Sequence, residues 1–386
     1  MTDREALLSL LEGTTDLPAN EIARVVEIAG RVLGADAARM LIADYGLATL
    51  QELGHDGPTG PQQSIEGTLA GRAFARDEIV VSDAEPLVWI PLSEGSERFG
   101  VLELTHRAWT DDLRATLGPV VRVLVLVLIS KRRYTDVVLR SRRAQRMSLA
   151  AEMQWDLLPP LTYTTARASV SGILEPAYSI GGDSFDFAVN PDCVEFAIID
   201  AVGHGMSAVL MAVTAINSLR NARREGAGFE AAYHDTGDVI ATHFGESYFV
   251  TAQIGRLLLD TGELTWLNAG HPPPLLVRDG SFVGELVCTP SLPMGLGGTV
   301  REIATERLQP GDRVLFYSDG VVETRARGGE QFGVSRLADF LVRATLDDVF
   351  PAETVRRLSA SIMSYNGSDL TDDATLLLID YHGAGN

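Results

Sequence analysis

The sequence predicts an α+β protein built as two globular parts joined by a helical segment, and three observations carry that prediction. With 386 residues and 46% hydrophobic content, the chain is long enough for two or three domains with sizeable cores. Before about residue 110, helical periodicity alternates with short strand-like runs. Beyond Arg167 the texture changes to strands separated by glycine turns, and aspartates stand at four of the strand edges and turns.

Composition excludes several classes. A formal net charge of −20 argues against nucleic-acid binding, whose footprint is a basic face. The two cysteines, Cys193 and Cys288, are too few for a disulfide framework or a zinc ribbon. The first residues lack the basic and apolar regions of a secretory signal. The longest uninterrupted apolar run, residues 123–129, is far shorter than the roughly 20 residues that span a bilayer. A cytoplasmic protein with neither nucleic acid nor membrane as partner is expected.

Residues 1–110 come first. Asn20 suits an N-cap for a helix carrying Ile22, Val25, Val26, Ala29, Val32 and Leu33 on one face, stopped by Gly34. Strand-like runs at 38–43 and 49–53 follow, then a Gly/Pro loop over 54–61. A small helix at 68–76, an extended piece at 79–81 and a hairpin-like pair at 87–92 and 99–105 complete the region. The element order, with Gly67-Thr68-Leu69-Ala70-Gly71-Arg72-Ala73-Phe74 followed by Ile79-Val80-Val81-Ser82-Asp83, resembles a GAF domain, with PAS the competing assignment. The resemblance implies a sensor for an unidentified small ligand or a ligand-free dimerisation domain. No cysteine lies here, so a thiol-linked tetrapyrrole is excluded.

Residues 111–160 read as a helical linker with a break at Gly118-Pro119. Leu113, Leu117, Val120, Val121, Leu124 and Leu128 form an apolar stripe at helical spacing. Such a stripe needs a partner helix, so a homodimer through residues 111–158 is expected. The basic stretch from Lys131 to Arg146 reads as a solvated face. Gln154-Trp155-Asp156-Leu157-Leu158 ends a helix that Pro159-Pro160 stops. Gln154, Leu157 and Leu158 are the regulatory candidates at this junction, where large apolar residues are expected to dock on the next domain.

From 165 to 381 the chain reads as a second α+β domain. An apolar run over 196–199 ends on Asp200, and Gly203-His204-Gly205 turns it into a helix from Met206. Strands are expected at 168–173, 249–259, 263–267, 313–317 and 375–379, and helices at 229–244, 334–343 and 352–363. Asp183, Asp200, Asp319 and Asp372 each stand at a strand edge or turn, Asp183 and Asp319 beside a glycine and Asp200 three residues before one. Carboxylates, carbonyls and water suit magnesium or manganese, and no His/Cys cluster is available for zinc. Two such ions can activate a water and clamp a phosphoryl oxygen, which gives direct hydrolysis without a phosphoenzyme. Neither cysteine has an arginine six residues on, and there is no Gly-Lys-Ser/Thr phosphate loop, so thiolate phosphatase chemistry and ATP hydrolysis are not expected.

Five ordered motifs carry a resemblance over residues 150–380. They are Gly181-Gly182-Asp183 with Asp186, Asp200 with Gly203-His204-Gly205, Asn268-Ala269-Gly270-His271-Pro272-Pro273-Pro274, Tyr317-Ser318-Asp319-Gly320, and Asp372-Asp373-Ala374-Thr375. Together they resemble the metal-dependent Ser/Thr protein phosphatases (PPM, type 2C), in their SpoIIE/RsbU-like branch. The resemblance implies an α/β/β/α sandwich and two divalent ions, Mn2+ or Mg2+. It implies that Asp200 bridges both metals and that the Ala201 carbonyl completes one shell; the family usually has another residue at 201, a change a backbone ligand tolerates. Asp319 and Asp372 are implied at the second metal, and Asp183 at a coordinated water or a further, weaker metal. Asp373 is implied as a supporting or turn residue, His271 as a structural corner, and His204 as either a general acid or part of the turn. No acidic ligand is missing, which disfavours a degenerate relative. The implied function is a Ser/Thr phosphatase acting on a phosphorylated STAS anti-anti-sigma protein in a partner-switching pathway. The competing readings are a non-catalytic phosphoprotein-binding adaptor and a hydrolase of a small phosphorylated molecule.

Overall fold

The computed structural model describes residues 3–93, 95, 97–106, 111–179, 181–326, 328–367, 370 and 372–383. It divides into two compact units, Met1–Arg146 and Met147–Asn386.

The first unit runs α1 (Asp3–Thr15), α2 (Ile22–Val32), β1 (Ala37–Ala43), β2 (Thr49–Gly54), β3 (Gly57–Ser64), α3 (Leu69–Arg76), β4 (Val80–Val81), β5 (Leu87–Ser93), β6 (Arg98–Thr105), α4 (Asp111–Lys131) and α5 (Asp136–Ser141). Its strands form one antiparallel sheet in the order β3-β2-β1-β6-β5-β4. Strand alternation sends Met40 and Ile42 of β1 to one face, where they meet Val25, Val26 and Ala29 of α2.

Several expectations change here. Asn20 caps nothing: residues 19–21 form a 3-10 turn, and α2 begins at Ile22 without a side-chain cap. Residues 57–64, expected to begin in a loop, form the edge strand β3; an edge accommodates Pro58 and Pro61 because an edge strand can spare ladder donors. The helix runs through Pro119 without a break. Interior proline costs about 3 kcal/mol, but Leu117, Val120, Val121 and Leu124 are buried around it, each contributing about 1.5–3 kcal/mol.

The segment 111–160 is also not a separate linker. The stripe from Leu113 to Leu128 closes the core of the first unit against α2 and the sheet. It therefore has its partner within its own chain, and the reason for expecting a homodimer through it falls away. By length and composition the helix at 113–134 could cross a membrane, yet its apolar stripe is packed in this core. The first unit extends through α5, and only the last helix of the segment belongs to the second.

The second unit runs α6 (Leu149–Leu157), β7 (Thr162–Thr164), β8 (Ala168–Glu175), β9 (Asp183–Val189), β10 (Cys193–Ala201), α7 (Met206–Arg224), α8 (Phe229–Phe244), β11 (Val250–Leu258), β12 (Glu263–Ala269), β13 (Leu275–Arg278), β14 (Ser281–Glu285), β15 (Ala304–Arg307), β16 (Arg313–Tyr317), α9 (Asp319–Glu323), α10 (Gly333–Leu346), α11 (Pro351–Asn366) and β17 (Ala374–Tyr381). Two antiparallel sheets result, β15-β12-β11-β10-β9 and β14-β13-β16-β17-β8-β7. Alternation along β10 explains the layering. Phe196 and Ile198 point between the sheets, onto Phe185, Trp266, Phe316 and Leu377. Ala197 and Ile199 point outward, where Met211, Ala212, Ala215 and Ile216 of α7 cover them. Helices α10 and α11 pack on the second sheet, giving the expected α/β/β/α sandwich.

Candidate metal centre

Register brings the acids together. Asp183 opens β9 and Asp200 stands near the end of β10, directly opposite each other in the antiparallel pair. In the second sheet, β16 ends just before Asp319, and Asp372 and Asp373 lead into β17 beside it. Ser318 joins those two ends: its amide donates to the Thr375 carbonyl and its hydroxyl accepts the Thr375 amide, both at 3.0 Å. Asp183 is buried and Asp200 half-buried, forming a floor, whereas Asp319 and Asp372 are exposed at the rim.

Asp373 holds the two sheets together at this point. Its carboxylate accepts the Gly181 amide at 2.8–2.9 Å and the Asp183 amide at 3.2 Å, which fixes the loop that presents Asp183. Two glycines make the approach possible. A Cβ on Gly182 would lie 2.2 Å from the Ala201 carbonyl oxygen, and one on Gly320 would lie 1.8 Å from the Asp373 carbonyl oxygen. Only hydrogen fits at either place.

The electrostatics are those of an acid cluster without internal compensation. Burial, then the charges of Asp200 and Asp373, pushes the Asp183 carboxyl well up. Burial, then Asp319, Asp372 and Asp373, raises Asp200 to about 7. Asp373 rises to about 6, chiefly through burial, and Asp319 is raised by burial and by Asp372. The Asp183 Oδ2 atom is buried with no hydrogen-bond partner. Among the described residues, no three His, Cys, Asp or Glu side chains are already converged as a metal cage. The donor set nonetheless fits a hard divalent cation: carboxylate oxygens, a backbone carbonyl that only a glycine can face, and one orphaned buried carboxylate oxygen. Asp183, Asp200, Ala201, Asp319 and Asp372 are the residues that could hold it.

His204 lies exposed in the turn between β10 and α7, where Gly203 and Gly205 take positive φ. His271 is buried in the corner after β12, held by reciprocal 2.8 Å bonds with Asn268, and burial lowers its pKa to about 3.

Helix α6 is docked on both flanks of the Asp183 loop. Ser148, its N-cap, donates its amide to the Tyr178 carbonyl at 3.1 Å, and the Trp155 indole donates to the Ala177 carbonyl at 2.8 Å. At the other end, Arg220 of α7 donates to the Leu157 carbonyl at 2.6 Å and to Asp186 at 2.7 and 3.0 Å. Arg223 completes the Asp186 pairing at 2.7 Å. Leu157 is buried in the core beneath α7, and Leu158 packs against the core between the sheets. Gln154 is fully buried, and neither of its amide atoms has a hydrogen-bond partner. Sequence reasoning missed the Asp186–Arg220–Leu157 link; the one available signal was Asp186 following the Gly181-Gly182-Asp183 motif.

Two stacked antiparallel sheets, with helices outside and carboxylates where the sheet ends meet, define a PP2C-type phosphatase fold. The SiaA-PP2C domain of Pseudomonas aeruginosa is similar in fold, with TM-score 0.51 and 20% identity over 60% of this chain and 94% of that one. Residues 190–382 match the Stage II sporulation protein E (SpoIIE) family, half of the chain, and the chain belongs to that family of PP2C-type serine/threonine phosphatases, which are hydrolases. Protein IcfG of Synechocystis sp. is 25% identical over 262 residues, covering 59% of this chain and 40% of IcfG. Phosphoserine phosphatase RsbU of Bacillus subtilis is 23% identical over 243 residues, covering 60% of this chain and 69% of RsbU. The structure of the RsbU and RsbW domains of Rv1364c from Mycobacterium tuberculosis is similar with TM-score 0.51 and 26% identity, over 57% of this chain and 63% of that one.

Proposed function

We propose that the chain is a divalent-metal-dependent protein phosphatase of the cytoplasm. It removes phosphate from a serine or threonine of a regulatory protein, a STAS-type anti-anti-sigma factor in a partner-switching pathway. The observation that carries this reading is that Asp183 and Asp200 pair at the end of one sheet while Asp319 and Asp372 stand at neighbouring strand ends of the other, in a SpoIIE-family chain. The similarity to RsbU, a phosphoserine phosphatase, favours a phosphoprotein over a small molecule.

Asp200 and the Ala201 carbonyl would hold one ion, with Asp200, Asp319 and Asp372 holding a second and Asp183 supporting the floor. Two Mn2+ or Mg2+ ions supply charge that stabilises a phosphoryl oxygen and a nucleophile available at neutral pH. The protein's own contribution is placement: Asp373 fixes the loop of Asp183, and Gly182 lets that loop meet the end of β10. His204, exposed in the glycine turn after Asp200, would pass a proton to the leaving serine or threonine oxygen or else serve only the turn. The first unit acts as a GAF-like sensor whose state is transmitted through α6, since that helix grips both flanks of the Asp183 loop. The test is phosphate release from phosphorylated STAS proteins of the same genome, with manganese or with chelator, beside free phosphoserine. Equal turnover of free phosphoserine would overturn the protein-substrate reading.

A further inference from the structure

Asp373 ties β17 to the loop before β9, and a second buried side chain makes a tie between the sheets on the β11 and β16 side. Alternation along β10 turns Asp200 inward, on the face of Phe196 and Ile198. Its partner across the antiparallel pair is Thr251 of β11. Opposite residues on one face stand about 4.5–5.5 Å apart at Cβ, so Thr251 is the immediate neighbour of Asp200 in the sheet. The Thr251 hydroxyl lies 3.0 Å from Nδ1 of His271. Chain geometry delivers that ring. After β12 the backbone turns at Gly270, where φ is +79°, and Gly270 bridges to Ala252, the residue after Thr251. Asn268 then holds the His271 backbone from both its amide and its carbonyl, at 2.8 Å each.

The ring also meets the other sheet. Burial keeps it neutral, and the group that opposes part of that effect is the backbone carbonyl of Tyr317. Tyr317 is the last residue of β16 and stands two residues before Asp319. Nδ1 faces Thr251, which leaves Nε2, buried and without a full hydrogen bond, for the Tyr317 carbonyl. A carbonyl only accepts, so the neutral ring carries its proton at Nε2 and accepts the Thr251 hydroxyl at Nδ1. One imidazole thus touches the neighbour of Asp200 in one sheet and the strand end leading to Asp319 in the other. Acids from two sheets can share an ion only if the spacing of those ends is fixed. We propose that His271 is a positioning residue for the metal centre, setting with Thr251 the spacing between Asp200 and Asp319. This rests on the phosphatase reading above, in which those two carboxylates hold one ion, and it gives the buried corner a role beyond folding.

The experiment titrates manganese into the full chain by calorimetry, without substrate, and records Tm in EDTA for each variant. Thr251→Val keeps the side-chain shape, removes the hydroxyl, and is expected to raise the manganese Kd by about 10–100-fold. Thr251→Ser returns the hydroxyl and with it the wild-type Kd. His271→Asn keeps a polar atom near the place of Nδ1, and His271→Gln keeps one near that of Nε2. Each reaches only one of the two strands, so each is expected to lose affinity as Thr251→Val does. Wild-type Kd in Thr251→Val, or in either His271 variant, overturns the positioning role. Equal losses in Thr251→Val and Thr251→Ser overturn it too, as do losses that follow the fall in Tm and not the hydroxyl. Wild-type chain that binds no manganese instead overturns the metal-centre reading, and the positioning role falls with it.

Discussion

Asp200→Asn replaces a carboxylate that the folded chain accommodates poorly in its ionised form. Burial and the charges of Asp319, Asp372 and Asp373 raise Asp200 from 3.8 to about 7. A tenfold change in proton affinity corresponds to about 1.4 kcal/mol, so ionising Asp200 costs the metal-free fold up to about 4 kcal/mol at about pH 8. The sign follows from linkage. A carboxyl whose folded pKa is raised binds its proton more tightly in the native state, so the destabilisation grows from about pH 4 to about pH 7 and then levels off. At about pH 5 less than half of it is present. The amide of Asn carries its own desolvation cost of about 1–3 kcal/mol, which offsets part of the gain. In EDTA at about pH 8 the variant should therefore be more stable than wild type by about 1–3 kcal/mol. For a unit of this size that is roughly 2–4 °C in Tm per kcal/mol. Calorimetry at the two pH values, with EDTA and with manganese, measures it. Manganese should reverse the order, because binding to the native state stabilises only the chain that keeps its ligand. A variant that melts at or below wild type in EDTA at about pH 8 would refute the reasoning.

Three further outcomes follow from the geometry. Asp373→Asn weakens the grip on the Gly181 and Asp183 amides and should raise the manganese concentration for half-maximal activity by about 10–100-fold, with kcat at saturation changed less. Gly182→Ala drives a methyl group into the Ala201 carbonyl and should abolish manganese binding by calorimetry; retained binding would show that the loop relaxes easily. Leu157→Ala, Arg220→Ala and a fragment starting near residue 165 should each shift basal turnover or the manganese titration while the domain stays folded. Wild-type behaviour in all three would make α6 a passive tether.

The catalytic unit was legible where its signals are local. An apolar strand ending on an aspartate and a glycine turn is written within a dozen residues, so Asp200 and Asp319 could be placed before their neighbours were known. Asp373 was harder, since beside Asp372 nothing in the sequence says which carboxylate faces outward and which accepts the Gly181 amide. The grip of Arg220 on Asp186 and Leu157 spans 34 and 63 residues, and no periodicity encodes it. In the first unit, local rules were overruled by tertiary burial. Pro119 signals a break and Pro58 and Pro61 signal a loop, but a helix face buried on both sides of a proline and a strand at a sheet edge absorb those costs. The stripe from Leu113 to Leu128 was visible as apolar. Its partner, the chain's own sheet, was not.

Phosphate release from a phosphorylated STAS protein of the same genome, by wild type, Asp200→Asn and Asp319→Asn with saturating manganese, tests the central claim most directly. Turnover is expected to be metal-dependent in wild type and lower by orders of magnitude in both variants, because each carboxylate offsets cationic charge and fixes its position. Full turnover by EDTA-stripped wild type, or by either variant, would contradict it.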